Sequence, residues 1–488
     1  EAGQEGGGQQ RWGPGNAGEG QWRGDGGRGR GDGEGQWRGD SARGRGDGEG
    51  QWRGDGGRGR GDGEGQWRGD GGRGDGQRTF RGPREAMSGE ALEARQANND
   101  AVRAAADWRA VAALLESRGS SLDGENITAM LIKVARNGRP EAASSAEFEA
   151  LVASLYGWVS ALVPTLRPKQ LATCLYAIAK LELFNAELVA ALAERAVEQL
   201  GNFNGWEYSN MVWAFGRMNY TPGEDWLNLF VYWSENRLAM FKTVELSNTV
   251  GALAKLGHVP GPTWMEALTA AAVRQAGDFN NLEYVNLLFG LASLGYTGGA
   301  DPSAWLEPLV GGPNGAARVA GMRVTDLTRT TWALTQFDWK PPAPWLQAAS
   351  RAFVAQLRFC LPSDLATISY SLAYLHATPS PDTLKLLAFE LSRCWQRLSG
   401  DELANVAMSL ALWQYRPQTD RWLDELVIAA RDKLAESSPD ALSKYVSALP
   451  LLGQGYRLNQ VVTQAQALLD GQQQTQSAEP PAVDAALV

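Results

Sequence analysis

"YSNMVWAFGRMNYTPGEDW" occupies residues 208–226, and "LSNTVGALAKLGHVPGPTW" occupies residues 246–264. The two stretches begin 38 residues apart, and each carries a proline at its fifteenth position and a tryptophan four residues later. In the first, Tyr208, Met211, Val212 and Phe215 fall at i, i+3, i+4 and i+7, which is one face of a helix. Related stretches start at 171, 284, 327, 365, 403 and 442, so successive starts lie 37 to 43 residues apart, and a weaker copy starts at 127. A period of this length marks a repeat architecture and takes precedence over element-by-element assignment.

Local chemistry makes each copy a hairpin of two helices. The residue before the first position is acidic at Glu207, Glu245, Glu283, Asp326, Asp364 and Glu402, where the helix dipole and unpaired N–H groups favour a carboxylate. Asn204 with Glu207, Asn280 with Glu283, and Ser399 with Glu402 have capping-box spacing. Pro222, Pro260, Pro341, Pro379 and Pro417 are expected to close the first helix, and Trp226, Trp264, Trp345 and Trp422 to open the second as core residues. A hairpin this small cannot bury its apolar faces alone, but stacked neighbours can. The expectation is an all-α, right-handed α-solenoid of about eight to nine two-helix repeats over residues 127–470, with 87–126 as a helical N-terminal cap. The unit starting at 284 carries extra Gly and Pro, read as a loop insertion. Residues 1–86 repeat "GEGQWRGDGGRGRGD" with Trp22, Trp37, Trp52 and Trp67 fifteen apart; a tract so poor in aliphatic side chains is expected to be disordered, as is the Gln-rich tail over 471–488.

A roughly 38-residue helical hairpin whose junction reads "KPPAPW" (340–345), with degenerate versions "VPGPTW" and "TPGEDW", resembles the octotricopeptide repeat. That resemblance covers about 127 to 470. It implies a green-algal organellar protein, in the chloroplast or alternatively the mitochondrion, that supports maturation, stability or translation of particular transcripts. Such proteins are related to the FAST-kinase-like RNA regulators. The RAP-like domain that some relatives carry at the C-terminus is not found here, which puts a catalytic role in doubt.

Numbering each first helix from its first core position as zero, positions 0, +4, +7 and +11 cluster on one side and +2, +5 and +9 on the other. The second set includes Thr173, Tyr176 and Lys180; Asn210, Trp213 and Arg217; Asn248 and Lys255; and Asn286 and Phe289. Further along it includes Arg329, Trp332 and Gln336; Thr367 and Tyr370; Asn405; and Lys444. Asn, Thr and Arg can hydrogen-bond base edges, aromatic rings can stack on bases, and Lys or Arg can neutralise phosphates. These residues are therefore candidates for contact with single-stranded RNA. Packing of the aromatics between adjacent hairpins is the competing reading.

A formal net charge of −9 argues against indiscriminate polyanion binding and favours the rival function, a protein–protein interaction scaffold without direct RNA binding; on the RNA reading, other proteins of a ribonucleoprotein complex are expected partners. Three scattered cysteines, Cys174, Cys360 and Cys394, fit neither a disulfide framework nor a zinc site. The two histidines, His258 and His376, lie at first-helix ends, and no phosphate-binding loop or kinase signature is present. The sequence gives no ground for an enzyme, a cofactor, a metal or a membrane partner.

Overall fold

A computed structural model describes residues 89–137, 145–337, 339–416 and 420–478, with side chains at 145, 420 and 472–478 excepted. The Gly-rich repeats over 1–86, Pro417 and the last ten residues lie outside the described residues. The chain divides into two compact units, ending at Gly290 and beginning at Leu291. Every regular element among the described residues is a helix.

The first unit holds α1 (Gly89–Ala104), α2 (Trp108–Arg118), α3 (Gly124–Asn137), α4 (Ser145–Leu162), α5 (Pro168–Leu181) and α6 (Ala186–Val197). It continues with α7 (Gly205–Met218), α8 (Glu224–Glu235), α9 (Thr243–Leu256), α10 (Pro262–Arg274) and most of α11 (Asn281–Ser293). In the second unit lie α12 (Ser303–Leu306), α13 (Gly315–Ala320), α14 (Val324–Thr335), α15 (Ala343–Gln356), α16 (Pro362–Tyr374) and α17 (Pro381–Ser392). It closes with α18 (Gly400–Leu412), α19 (Asp420–Arg431), α20 (Pro439–Leu452) and α21 (Tyr456–Ala478). Within each unit, first helices pack on first helices (α3, α5, α7, α9; and α14, α16, α18, α20), while second helices line up behind them. That is the nearest-neighbour stacking of an α-solenoid. Helices α1 and α2 both pack on α3, and Trp108 meets Phe148 edge-on at 5.6 Å. Helix α21 runs eight residues beyond position 470.

The core follows the repeat. Tyr208, Val212 and Phe215, like Leu246, Val250 and Leu253, are fully buried. Adjacent first helices approach closely where side chains are smallest: a Cβ on Gly216 would lie 3.3 Å from the Ala252 Cα, and one on Gly290 would lie 3.1 Å from the Gly251 nitrogen. Junction tryptophans are all buried, and three of them tie their repeat to the one before. The Trp226 indole N–H donates to the Ala193 carbonyl (2.9 Å), that of Trp264 to the Ser234 hydroxyl (2.9 Å), and that of Trp422 to the Ala388 carbonyl (2.8 Å). A second inter-repeat tie was not anticipated. Gln199, Gln275 and Gln356, at the ends of second helices, donate through Nε2 to Leu166, Phe241 and Met322 carbonyls of the preceding repeat at 2.8–2.9 Å.

The capping boxes form as the spacing implies. Asn204 N–H donates to Glu207 Oε2 (2.8 Å) while Glu207 N–H donates to Asn204 Oδ1 (3.0 Å), and Ser399 with Glu402 and Asn280 with Glu283 repeat the exchange. Helix ends differ from the sequence expectation. Proline does not terminate the first helices; a residue in left-handed conformation at +11 does, at Glu182, Asn219, Gly257, Gly295, His376 and Gln414. The next N–H then bonds back to a carbonyl five residues earlier, as in Tyr220 to Phe215 (3.0 Å) and Tyr415 to Leu410 (2.9 Å). This is the Schellman stop. Position +11 therefore lies outside the helix and outside the core: these residues are exposed. In the unit starting at 284, the second helix breaks into α12, one π turn over Glu307–Gly311 and α13. Pro308 and the Gly311–Gly312–Pro313 run remove the donors and restraint that a continuous helix needs.

Helix α4 with its following turn, Ala146–Thr165, is long and apolar enough to cross a membrane by length and composition. Its Phe148, Leu151, Val152, Leu155 and Val159 are buried, and α4 packs on α3 and α6 as a second helix of the array does.

Candidate nucleic-acid interface

The face of the first helices opposite the core is built from positions −2, +2, +5 and +9, one stripe along each helix. Each first helix is flanked by others, so the arc open to solvent is narrow. Short side chains sink below its rim. Thr173 (7 % exposed), Asn210 (3 %) and Asn286 (8 %) are buried, and the first two bond to their own helices: Thr173 Oγ1 donates to the Lys169 carbonyl (2.7 Å) and Asn210 Nδ2 to the Trp206 carbonyl (2.9 Å). These residues do not present free base-reading edges as the sequence reading expects. Tyr176, at 1 % exposure, likewise offers no stacking face. Its ring packs instead on Trp213, with centroids 5.1 Å apart at 33°. Packing between hairpins, the competing reading, holds for that ring.

Trp213 differs from Tyr176 although both sit at +5. It is half-buried, with its ring packed against Tyr176 of α5. One turn further, at +9, Lys180, Arg217 and Lys255 are exposed on three successive first helices. Arg217 Nη2 is paired with Glu182 Oε1 across 35 residues. Asn248 and Phe289 are half-buried in the same registers of α9 and α11. Sequence reasoning missed Lys169 and Trp206 at −2, and Phe184, half exposed beyond α5, whose ring lies 6.1 Å from Tyr220. The −2 residues lie one turn before +2 on the same face, so the periodicity held that signal; the Phe184–Tyr220 pair sits in the turns, where periodicity carries none.

The second unit uses the same registers differently. Arg329 and Trp332 are half-buried, and burial lowers the Arg329 pKa while Asp326 opposes it. Gln336 Nε2 donates to Thr335 Oγ1 (2.8 Å). Lys444 is largely spoken for: its Nζ donates to Asn405 Oδ1 (2.8 Å) and Asp440 Oδ2 (2.6 Å) and lies 4.2 Å from the Tyr370 ring centroid. Lys444, Asn405 and Tyr370 thus cross-link α16, α18 and α20, with Thr367 half-buried beside them on α16. At +9, where the first unit carries cations, the second carries exposed Tyr374, Leu412 and Leu451. Burial pushes the Cys174 and Cys360 thiols up to about 12, so neither is poised as a thiolate.

Residues 102–306 match the family model "Tbc2 translation factor, N-terminal domain". That stretch includes α5, α7, α9 and α11 and every +9 cation of the first unit. No curated protein matches the chain.

Proposed function

We propose that the first unit binds single-stranded RNA through the open stripe of α5, α7 and α9, and that the protein supports maturation, stability or translation of a specific organellar transcript. The observation that carries this reading is Trp213, a half-buried ring packed against Tyr176, with Lys180, Arg217 and Lys255 on the same stripe. An aromatic platform beside a row of cations is what sequence-tolerant stacking on a single strand requires. The match to a translation-factor domain over the same residues supports it, as does the octotricopeptide-like repeat. On this reading the protein is a binder rather than an enzyme, works in the chloroplast (the mitochondrion being the alternative), and joins other proteins in a ribonucleoprotein complex. The exposed Tyr374, Leu412 and Leu451 favour a second reading, a protein-binding scaffold.

The test is selection of a random single-stranded RNA pool on the full chain, with affinities then measured across a salt series. Trp213→Ala is expected to weaken binding by ~1–2 kcal/mol, the lower part of the stacking range because one ring face already rests on Tyr176. Lys180→Gln and Lys255→Gln are each expected to flatten the log–log salt slope by roughly 0.7. A folded chain that enriches no RNA would hand the case to the scaffold.

A further inference from the structure

We propose that Glu182 is a built-in competitor for RNA: its carboxylate occupies the Arg217 guanidinium that a phosphate would otherwise take, and so weakens binding at the α5–α7 step. The proposal rests on the RNA-binding reading above and names a residue that regulates that site.

The two side chains come from different repeats, 35 residues apart, and meet on the stripe that also carries Trp213 and Lys180. Carboxylate and phosphodiester oxygens are equivalent acceptors for a guanidinium, both able to take its paired N–H groups. One ligand must leave for the other to bind. The pair is accessible enough for exchange, with side-chain exposures of 34 % for Arg217 and 58 % for Glu182. At such exposure an ion pair is weak, so a phosphate can displace it.

The fold does not ask for a carboxylate here. Glu182 stands at +11 with φ 55°, the left-handed stop of α5. The same stop is made by Asn219 after α7 and Gly257 after α9, the residue types that this conformation favours. At the same +11 position the two following repeats carry the neutral Asn219 and Gly257. Arg217 is thus a +9 cation already engaged by an acid, and Glu182 is the group that attenuates it.

A double-mutant cycle tests this with the full chain and a labelled random-sequence single-stranded RNA. The variants are Glu182→Gln, Arg217→Gln and the pair together, each checked for unchanged circular dichroism. Glu182→Gln keeps the side-chain shape and removes the charge. It is expected to tighten binding about two- to five-fold at low salt, the fold equivalent of a surface ion pair. It is also expected to steepen the salt slope by roughly 0.7 as one more phosphate contact becomes effective. In the Arg217→Gln background the same change is expected to do little. Unchanged affinity in Glu182→Gln, while Arg217→Gln weakens binding, would overturn the competition. A gain that persists without Arg217 would overturn it too, because it would mark a general field effect. Failure of the wild-type chain to bind any RNA would overturn the RNA reading, and the proposal with it.

Discussion

The stops of the first helices allow opposite substitutions to be predicted on one backbone shape. In the second unit Gly295, His376 and Gln414 all occupy +11 with φ of 71°, 63° and 53°. A side chain in this region costs ~1–2 kcal/mol from its Cβ against the following carbonyl. Glycine escapes that cost but surrenders ~0.4–1 kcal/mol through its freer unfolded chain. Gln414→Gly is therefore expected to stabilise by about 0.5–1 kcal/mol, its exposed side chain contributing no core contact. Gly295→Ala gives the converse: nothing lies within 4 Å of the added Cβ, so only backbone strain acts, and a loss of similar size is expected. His376 and Gln414 end different helices, so His376→Gly with Gln414→Gly should add to ~1–2 kcal/mol. For a unit of this size that is a rise in midpoint of about 2–8 °C. Urea and thermal unfolding of the full chain, with hydrogen exchange on α16 and α18 to locate the change, would measure it. If Gly295→Ala proved neutral while Gln414→Gly destabilised, the left-handed stop would not be the determinant of these helix ends.

Trp264, fully buried and bonded to Ser234, is expected to cost ~3–5 kcal/mol on replacement by alanine. Hydrogen exchange should show that loss first in α8 and α10, since repeats couple to neighbours; uniform loss of protection across the first unit would contradict nearest-neighbour coupling. Burial raises the Glu207 carboxyl above its ordinary value of 4.5, against its bond from Asn204 N–H. Its contribution to stability is thus fully present below the unfolded pKa and lost as pH rises through the folded one. Glu207→Gln keeps an acceptor, as Gln170 already does for Arg167 N–H (2.9 Å), so relative to wild type it should be more stable near neutrality than below pH 4.5; urea midpoints showing the reverse trend would refute the assignment.

The elements of this protein were legible in the sequence because their causes are local. Asn204 and Glu207 are three residues apart and cap one helix whatever surrounds them; the apolar stripe from Tyr208 to Phe215 and the recurring Trp226, Trp264, Trp345 and Trp422 need only a neighbouring copy to be buried. The helix stops were less legible: proline was the visible signal, yet the stop falls three residues earlier, on residues as different as Glu182, Asn219 and His376 that share only a backbone conformation.

Accessibility along the stripe is where the tertiary structure alone decided. Tyr176 and Trp213 stand at the same register of adjacent helices, yet one is sealed and the other half open, because Trp213 lies over Tyr176. Arg217 reads in sequence as an open cation, but in the fold it meets the Glu182 carboxylate carried by the previous repeat. Lys444 reads as an RNA ligand until Asn405 and Tyr370 are seen around it. Helical period tells which way a side chain points; what stands in front of it comes from residues some 35 to 75 positions away, which only packing brings together.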